Sequence, residues 1–388
     1  MEAIDVGINF STGSNMSRNV SLEYSHNGCE LLNLMEGSDL KVPLYGYAMP
    51  VLLITTTTAN TLIVAVLSQR NMKTPSNTIL MAISLADLFT LVVPSPVFFY
   101  MYTLGHYQKT LLTNSVACYA WTYLSDVLPT LFHTASIWLS LALAAQRYIY
   151  ICHSPTAHVF CTQPRVVIII ISIFFAALIH QLPKFLDFSY ELNPLVHGGT
   201  PVCYICTAKW VNEVGVAVYY PIYFWLRVIF VHLLPCALLL LFNWLLYQTV
   251  RQAQKSRNRL LQENRKSEYK KARERNCTTM MLLVVVSITT VTEIPLAILT
   301  FLHILTNSGV EVLSSEDYAS IYKYIALSNF FIICSYPLNF AVYCSMSRQF
   351  RETFAVLFLN RLGSKRLARE DSSRYSTVNG HRTSETVL

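Results

Sequence analysis

The chain has 388 residues, of which 53% are hydrophobic and only 13% charged, about half the charge of an ordinary soluble domain. That excludes a single water-soluble domain and points to a membrane protein. The excess of 29 Lys and Arg over 22 Asp and Glu then bears on orientation in the bilayer, and nucleic acid is not an expected partner. Ten Cys scattered through apolar runs exclude a disulfide-stapled secreted scaffold, and the one C-x-x-C, Cys203 and Cys206, lacks the second pair of a zinc module. No cofactor or metal is expected, and His180 and His232 read as core histidines.

A helix needs about 20 apolar residues to cross about 30 Å of hydrocarbon, and seven runs qualify. In chain order they are Tyr45 to Ser68, Ser76 to Tyr102, Val116 to Ala145, Val166 to Leu186, Val218 to Val250, Cys277 to Leu305 and Tyr324 to Cys344. After the last, Phe350, Phe354 and Phe358 recur at helical spacing, which predicts a short amphipathic eighth helix on the inner membrane surface, in contact with lipid. The expected fold is all-α, a seven-transmembrane helix bundle. Residues 1–43 form a tail, 44–345 the bundle, and 346–388 the amphipathic helix and a second tail. No internal repeat argues for a transporter built from halves.

The loop before the third run carries only Lys109, whereas Arg251 to Asn276 carries ten Lys and Arg. In all, 22 of the 29 basic residues fall on the face shared by the first, third and fifth connections and the C-terminal tail, which makes that face cytoplasmic. The N-terminus is then extracellular, in keeping with N-x-Ser glycosylation acceptors at Asn9, Asn15 and Asn19. The first span is expected to act as its own insertion signal.

Polar residues inside the runs carry the functional reading. Asn60 lies in the first, Asp87 within SLADL in the second and Arg147 within QRYIYI in the third; Pro235, Pro295 and Pro337 lie in the fifth, sixth and seventh. This ordered set resembles the class A, rhodopsin-like G-protein-coupled receptors. Longer stretches, among them HQLPKF, RVIFVHLLPC and SMSRQFRETF with the final ETVL, are similar to the invertebrate sex peptide or myoinhibitory peptide receptors. The resemblance implies a plasma-membrane receptor with a short amidated neuropeptide as extracellular agonist, inhibitory heterotrimeric G proteins as partners, and no enzyme activity. A polytopic transporter or ion-conducting protein is the alternative.

The resemblance also assigns roles, and this sequence departs from several. Arg147 and Pro295 match the coupling switch, but Gln146 replaces the acid beside Arg147, leaving hydrogen bonds or another helix, such as Glu274, to hold it. Glu293 replaces the tryptophan two residues before Pro295. In the seventh span Tyr336 and Phe340 replace the usual Asn and Tyr, while Asn339 and Tyr343 keep their separation about one turn inward; this displaced pair is expected to take over the switch hydrogen bonding. Asp87 with Ser136 matches a sodium site, yet Ile332 and Tyr336 replace polar members, so Asp87 is either an ion ligand or a neutral hydrogen-bonded acid. Pro129 in place of the amine-receptor acid disfavours amines, and the position of Lys323 disfavours retinal.

For the ligand pocket, Arg227 lies about 14 Å and Glu293 about 18 Å below the outer ends of their spans. They are expected either to pair or to be bridged by ligand, or else to form a structural pair. Asp126, His133 and Lys323 complete the pocket. The family's outer disulfide maps to Cys118 with Cys203, with Cys206 as a rival; Cys29 takes the one left over. Because Cys118 precedes Arg147 by 29 residues, about one helical turn more than usual, a bulge near Pro129 or a different loop path is needed. The basic third inner loop is expected to extend both flanking helices around a short turn. Ser and Thr of the tail offer phosphorylation sites for arrestin, and Thr386-Val387-Leu388 matches a PDZ-domain ligand.

Overall fold

The computed structural model describes residues 25–26, 29–31, 38–106, 114–152, 161–194, 201–262, 266–308, 310, 312 and 314–359. Asn9, Asn15, Asn19 and Thr386-Val387-Leu388 lie outside the described residues. Seven helices are long and apolar enough to cross a membrane: α1 Asp39–Leu67, α2 Pro75–Thr103, α3 Ser115–Cys152, α4 Gln163–Leu186, α5 Val216–Lys255, α6 Thr279–Thr306 and α7 Ser320–Met346. Each covers one predicted run. α3 is the most enclosed and α4 the least; Ile168, Ile171 and Phe175 of α4 project outward, as a lipid-facing stripe does.

Polar side chains set several helix starts. Thr74 accepts from the backbone of Asn77 at 3.2 Å before α2, and Asn114 from that of Val116 at 2.9 Å before α3. The basic third loop behaves as expected: helix continues from α5 to Gln262 and resumes at Lys266 into α6. α7 breaks at Tyr336 and Pro337 and restarts at Leu338. A short helix α8, Arg348–Phe354, then turns onto the first inner connection, where Gln349 donates to the Asn71 carbonyl at 2.7 Å and Asn71 to Thr353 at 3.0 Å. Phe350 of α8 is buried against Tyr343, and Arg351 donates to the Cys344 and Ser345 carbonyls that end α7.

Prolines follow three of the five π-helical segments among the described residues. Pro50, Pro129 and Pro235 each follow a π-helical segment, Val42–Ala48, Tyr123–Val127 and Val228–Leu233 respectively. A proline has no N–H and its ring crowds the carbonyl four residues back, which forces the preceding turn open. The carbonyls so released find side-chain donors. Gly46, four before Pro50, accepts from Thr103 of α2 at 2.8 Å, and Phe230, five before Pro235, accepts from Trp138 of α3 at 3.2 Å. The segment beside Pro129 is the predicted bulge.

The all-α expectation misses one feature, a four-stranded antiparallel sheet with order β1-β2-β4-β3, built from β1 Ser25–His26, β2 Cys29–Leu31, β3 Phe188–Pro194 and β4 Pro201–Thr207. The hairpin β3–β4 joins α4 to α5, and the segment before α1 adds β2 alongside β4 and β1 at the edge. Cys118 is bonded to Cys203 and Cys29 to Cys206, the pairing expected first. Cys29 and Cys206 are direct cross-strand partners. Closing loops of 85 and 177 residues stabilises by roughly 4 to 5 kcal/mol each in the chain-entropy account.

Gly46 shows how closely α1 and α2 approach, since a Cβ there would lie 3.0 Å from the Tyr102 carbonyl oxygen. Gly46→Val is therefore expected to destabilise by about 1–3 kcal/mol, read as a lower melting temperature of the detergent-solubilised protein; an unchanged value would refute the close approach. Asp187, which ends α4 and begins the hairpin, is fully buried, and its carboxylate lies 3.6 Å from Lys184. Burial pushes its carboxyl up to about 6, with Lys184 pulling the other way. A folded-state pKa above the unfolded value near 4 contributes stability that is full below about pH 4 and is lost as pH rises through about 6. The melting-temperature difference, Asp187→Asn minus wild type, should thus grow across that window and level off above it.

Candidate functional site

Two buried polar clusters lie at different depths of the bundle. The outer one starts from the π-helical segment of α3, where Asp126 is wholly buried. Thr130 donates to one of its carboxylate oxygens at 3.3 Å, while the other has no hydrogen-bond partner among the described residues. α4 contributes Gln181, Lys184 and the terminal Asp187, all buried. Their spacing of three residues puts them along one face. Neither amide atom of Gln181 has a hydrogen-bond partner among the described residues, and the Lys184 ammonium lies 4.1 Å from the Phe188 ring centroid.

Tyr190 of β3 donates to Thr122, which keys the hairpin onto α3, and Tyr123 donates to the Phe185 carbonyl, which ties α3 to α4. α5 supplies Tyr219, Tyr223 and Arg227. The half-buried Arg227 stands within electrostatic reach of Tyr223, His180 and His232. His232 is buried, while His180 is half-buried and stacked on Phe230 at 4.9 Å. Lys323 on α7 is exposed.

The inner cluster lies about two turns further along α3. His133 bridges three helices: its Nε2 is 3.5 Å from Glu293 Oε1 of α6, and its Nδ1 is 3.4 Å from the Tyr336 hydroxyl of α7. Sequence reasoning has Glu293 pair with Arg227 or be bridged to it by ligand; the structure adds an imidazole as its neighbour. Ser136 donates to Asp87 at 2.5 Å. Asp87, His133, Glu293, Tyr336 and Asn339 all line one small cavity, with room for about one water molecule. Among the described residues, the one His, Cys, Asp and Glu group close enough to share a metal is Cys29, Glu191 and Cys206, and its two cysteines are spent in a disulfide.

At the opposite end of α3, Gln146 has a partner other than Arg147. It is buried, and Ser76 of α2 donates to its side-chain oxygen at 2.9 Å. The Arg147 Nε is buried without a hydrogen bond among the described residues, and the guanidinium lies in electrostatic reach of Cys161. Burial pushes the Cys161 thiol up while Arg147 opposes the shift. The side chain of Glu274 is outside those described. Asn339 and Tyr343 are both buried, the first on the cavity with Asp87 and the second against Phe350. The displaced pair therefore faces the interior. Gln181, Lys184, Asp187 and Tyr223 were missed from sequence, although the polar stripe at three-residue spacing in an apolar run was the signal for the first three.

The sequence matches the family described as 7 transmembrane receptor (rhodopsin family) over residues 59–343. It is 48% identical over 354 residues to the "Sex peptide receptor" of Drosophila melanogaster, an alignment covering 89% of this chain and 80% of that protein. It is 32% identical over 337 residues to the "Sex peptide receptor-related protein 2" of Caenorhabditis elegans, covering 84% and 74%. It is also 27% identical over 387 residues to the "G-protein coupled receptor dmsr-1" of the same nematode, covering 87% and 73%. These matches do not favour the transporter alternative. The chain belongs to the rhodopsin family of seven-transmembrane receptors, multi-pass membrane proteins that signal rather than act as enzymes.

Proposed function

We propose that this receptor binds a short, amidated neuropeptide of the sex-peptide or myoinhibitory type and promotes nucleotide exchange on an inhibitory heterotrimeric G protein. The observation that carries the reading is the outer polar cluster under a disulfide-tied hairpin, in a chain 48% identical to a protein named for a peptide ligand. Asp126 and Arg227 are the proposed ligand contacts, with His133 and Glu293 at the floor and Lys323 at the rim. A peptide bridging Arg227 to Glu293 would span from α5 to α6 beside the proline of α6.

Agonist binding then shifts the population toward a form with the inner end of α6 displaced about Pro295, which opens a cleft at Arg147. Asn339 and Tyr343 form the hydrogen bonds of that form. Asp87 is a buried acid that accepts from Ser136 in preference to binding sodium. The extracellular N-terminus is supported by the charge asymmetry and by a disulfide between the segment before α1 and the hairpin, a bond of oxidising compartments. Glycans at Asn9, Asn15 and Asn19, arrestin on the phosphorylated tail and a PDZ protein on Thr386-Val387-Leu388 complete the proposed assembly at the plasma membrane.

Membranes carrying the receptor and an inhibitory G protein, challenged with a library of amidated peptides and biogenic amines, should exchange nucleotide with a peptide and with no amine. Silence to every peptide with a response to an amine refutes the ligand class. An N-terminal epitope should bind antibody on intact cells; labelling only after permeabilisation refutes the orientation. Asn339→Leu and Tyr343→Phe should each lower peptide-stimulated exchange by about fivefold or more at normal surface level. Normal signalling by both would assign the switch elsewhere.

A further inference from the structure

The contact between His133 and Glu293 offers a role separate from ligand binding. It joins α3 to α6, and Glu293 stands two residues before the proline about which α6 must bend. Both side chains are almost completely buried, at 3% and 2% exposure, and Glu293 Oε2 has no hydrogen-bond partner among the described residues. A carboxyl so placed is expensive without a polar partner, and separating it from the imidazole leaves a buried polar group unsatisfied. Such a contact is made or broken as a unit.

Its surroundings strengthen the link. Asp87 from α2 shares the cavity with His133 and Glu293, Tyr336 from α7 meets the other imidazole nitrogen, and Cys236 and His232 of α5 lie within electrostatic reach of Glu293 and His133 respectively. α5 and α6 are tied to each other nearer the cytoplasm, where Asn243 donates to Thr290 at 2.8 Å and Ser287 to Asn243 at 3.5 Å. That pair can swing together once α6 is released from α3. The contact lies about 21 Å from Arg147 along α3, so it acts on the hinge of α6 and not on its inner end.

We propose that His133 and Glu293 are positioning residues that form an interhelical latch, holding α6 against α3 in the resting receptor, and that opening it is the step by which the occupied outer cluster frees α6. This rests on the receptor reading above. The test uses ligand-free nucleotide exchange by the full-length chain with purified inhibitory G protein, normalised to folded receptor at the surface. Wild-type exchange above receptor-free membranes reports on the receptor reading, and the ratio of variant to wild type reports on the latch.

Glu293→Gln, which keeps shape and removes charge, and His133→Phe should each raise ligand-free exchange by about fivefold or more. The swap His133→Glu with Glu293→His should return it toward wild type. Single variants that exchange at the wild-type rate, or a swap as active as the singles, overturn the latch. A second readout covers any variant that folds poorly. With the remaining free cysteines replaced, spin labels on the exposed Cys152 and Cys277, at the inner ends of α3 and α6, should move apart in Glu293→Gln without ligand; an unchanged spacing overturns the proposal.

Discussion

Hydrocarbon offers no hydrogen bonds, and that constraint organises the whole molecule. Every backbone carbonyl released inside the bilayer must find a donor from the protein. Pro50 and Pro235 release carbonyls that Thr103 and Trp138 satisfy from neighbouring helices. Each repair ties two helices together at a fixed depth. The polar side chains obey the same rule, so they gather where several helices can share them: Asp126 with the α4 stripe in the outer half, and Asp87, His133, Glu293 and Tyr336 further in.

The receptor keeps the family's architecture while changing its polar parts. A glutamate stands for the sixth-helix tryptophan, a glutamine for the acid beside Arg147, and a tyrosine for the seventh-helix asparagine. Each replacement has found a new partner. Glu293 meets His133, Gln146 accepts from Ser76, and Tyr336 meets the same histidine from the opposite side. Glu293 and Tyr336 thereby place a buried polar contact through His133 at the centre of the bundle, joining α3 to α6 and α7.

Outside the membrane, the tail and the second outer hairpin behave as one body. Four strands and two disulfides bind Ser25–His26 and Cys29–Leu31 to the loop between α4 and α5 and then to the outer end of α3. A mobile loop would have to be ordered by each arriving ligand at an entropic cost. Here covalent closure has removed most of that cost beforehand, and Lys184, Asp187 and Tyr190 seat the hairpin directly over the outer cluster.

The seven spans, the prolines and the amphipathic run at Phe350 were legible in the sequence because each expresses a local rule: length against bilayer thickness, a missing N–H, a helical period. The family assignment was legible for the same reason, one residue type per span. The pairing of Cys118 with Cys203 was legible only through resemblance. Tertiary structure alone decided that His133 lies against Glu293, and that Gln146 turns to α2. It also decided that the tail supplies strands to the hairpin and that Gln181, Lys184 and Asp187 form a buried stripe beside Asp126. Depth along a helix follows from counting residues, but which face a helix presents to which neighbour depends on its rotation and on turns widened by π segments. Rotation is set by the packing of all seven helices together, so no single stretch of sequence contains it.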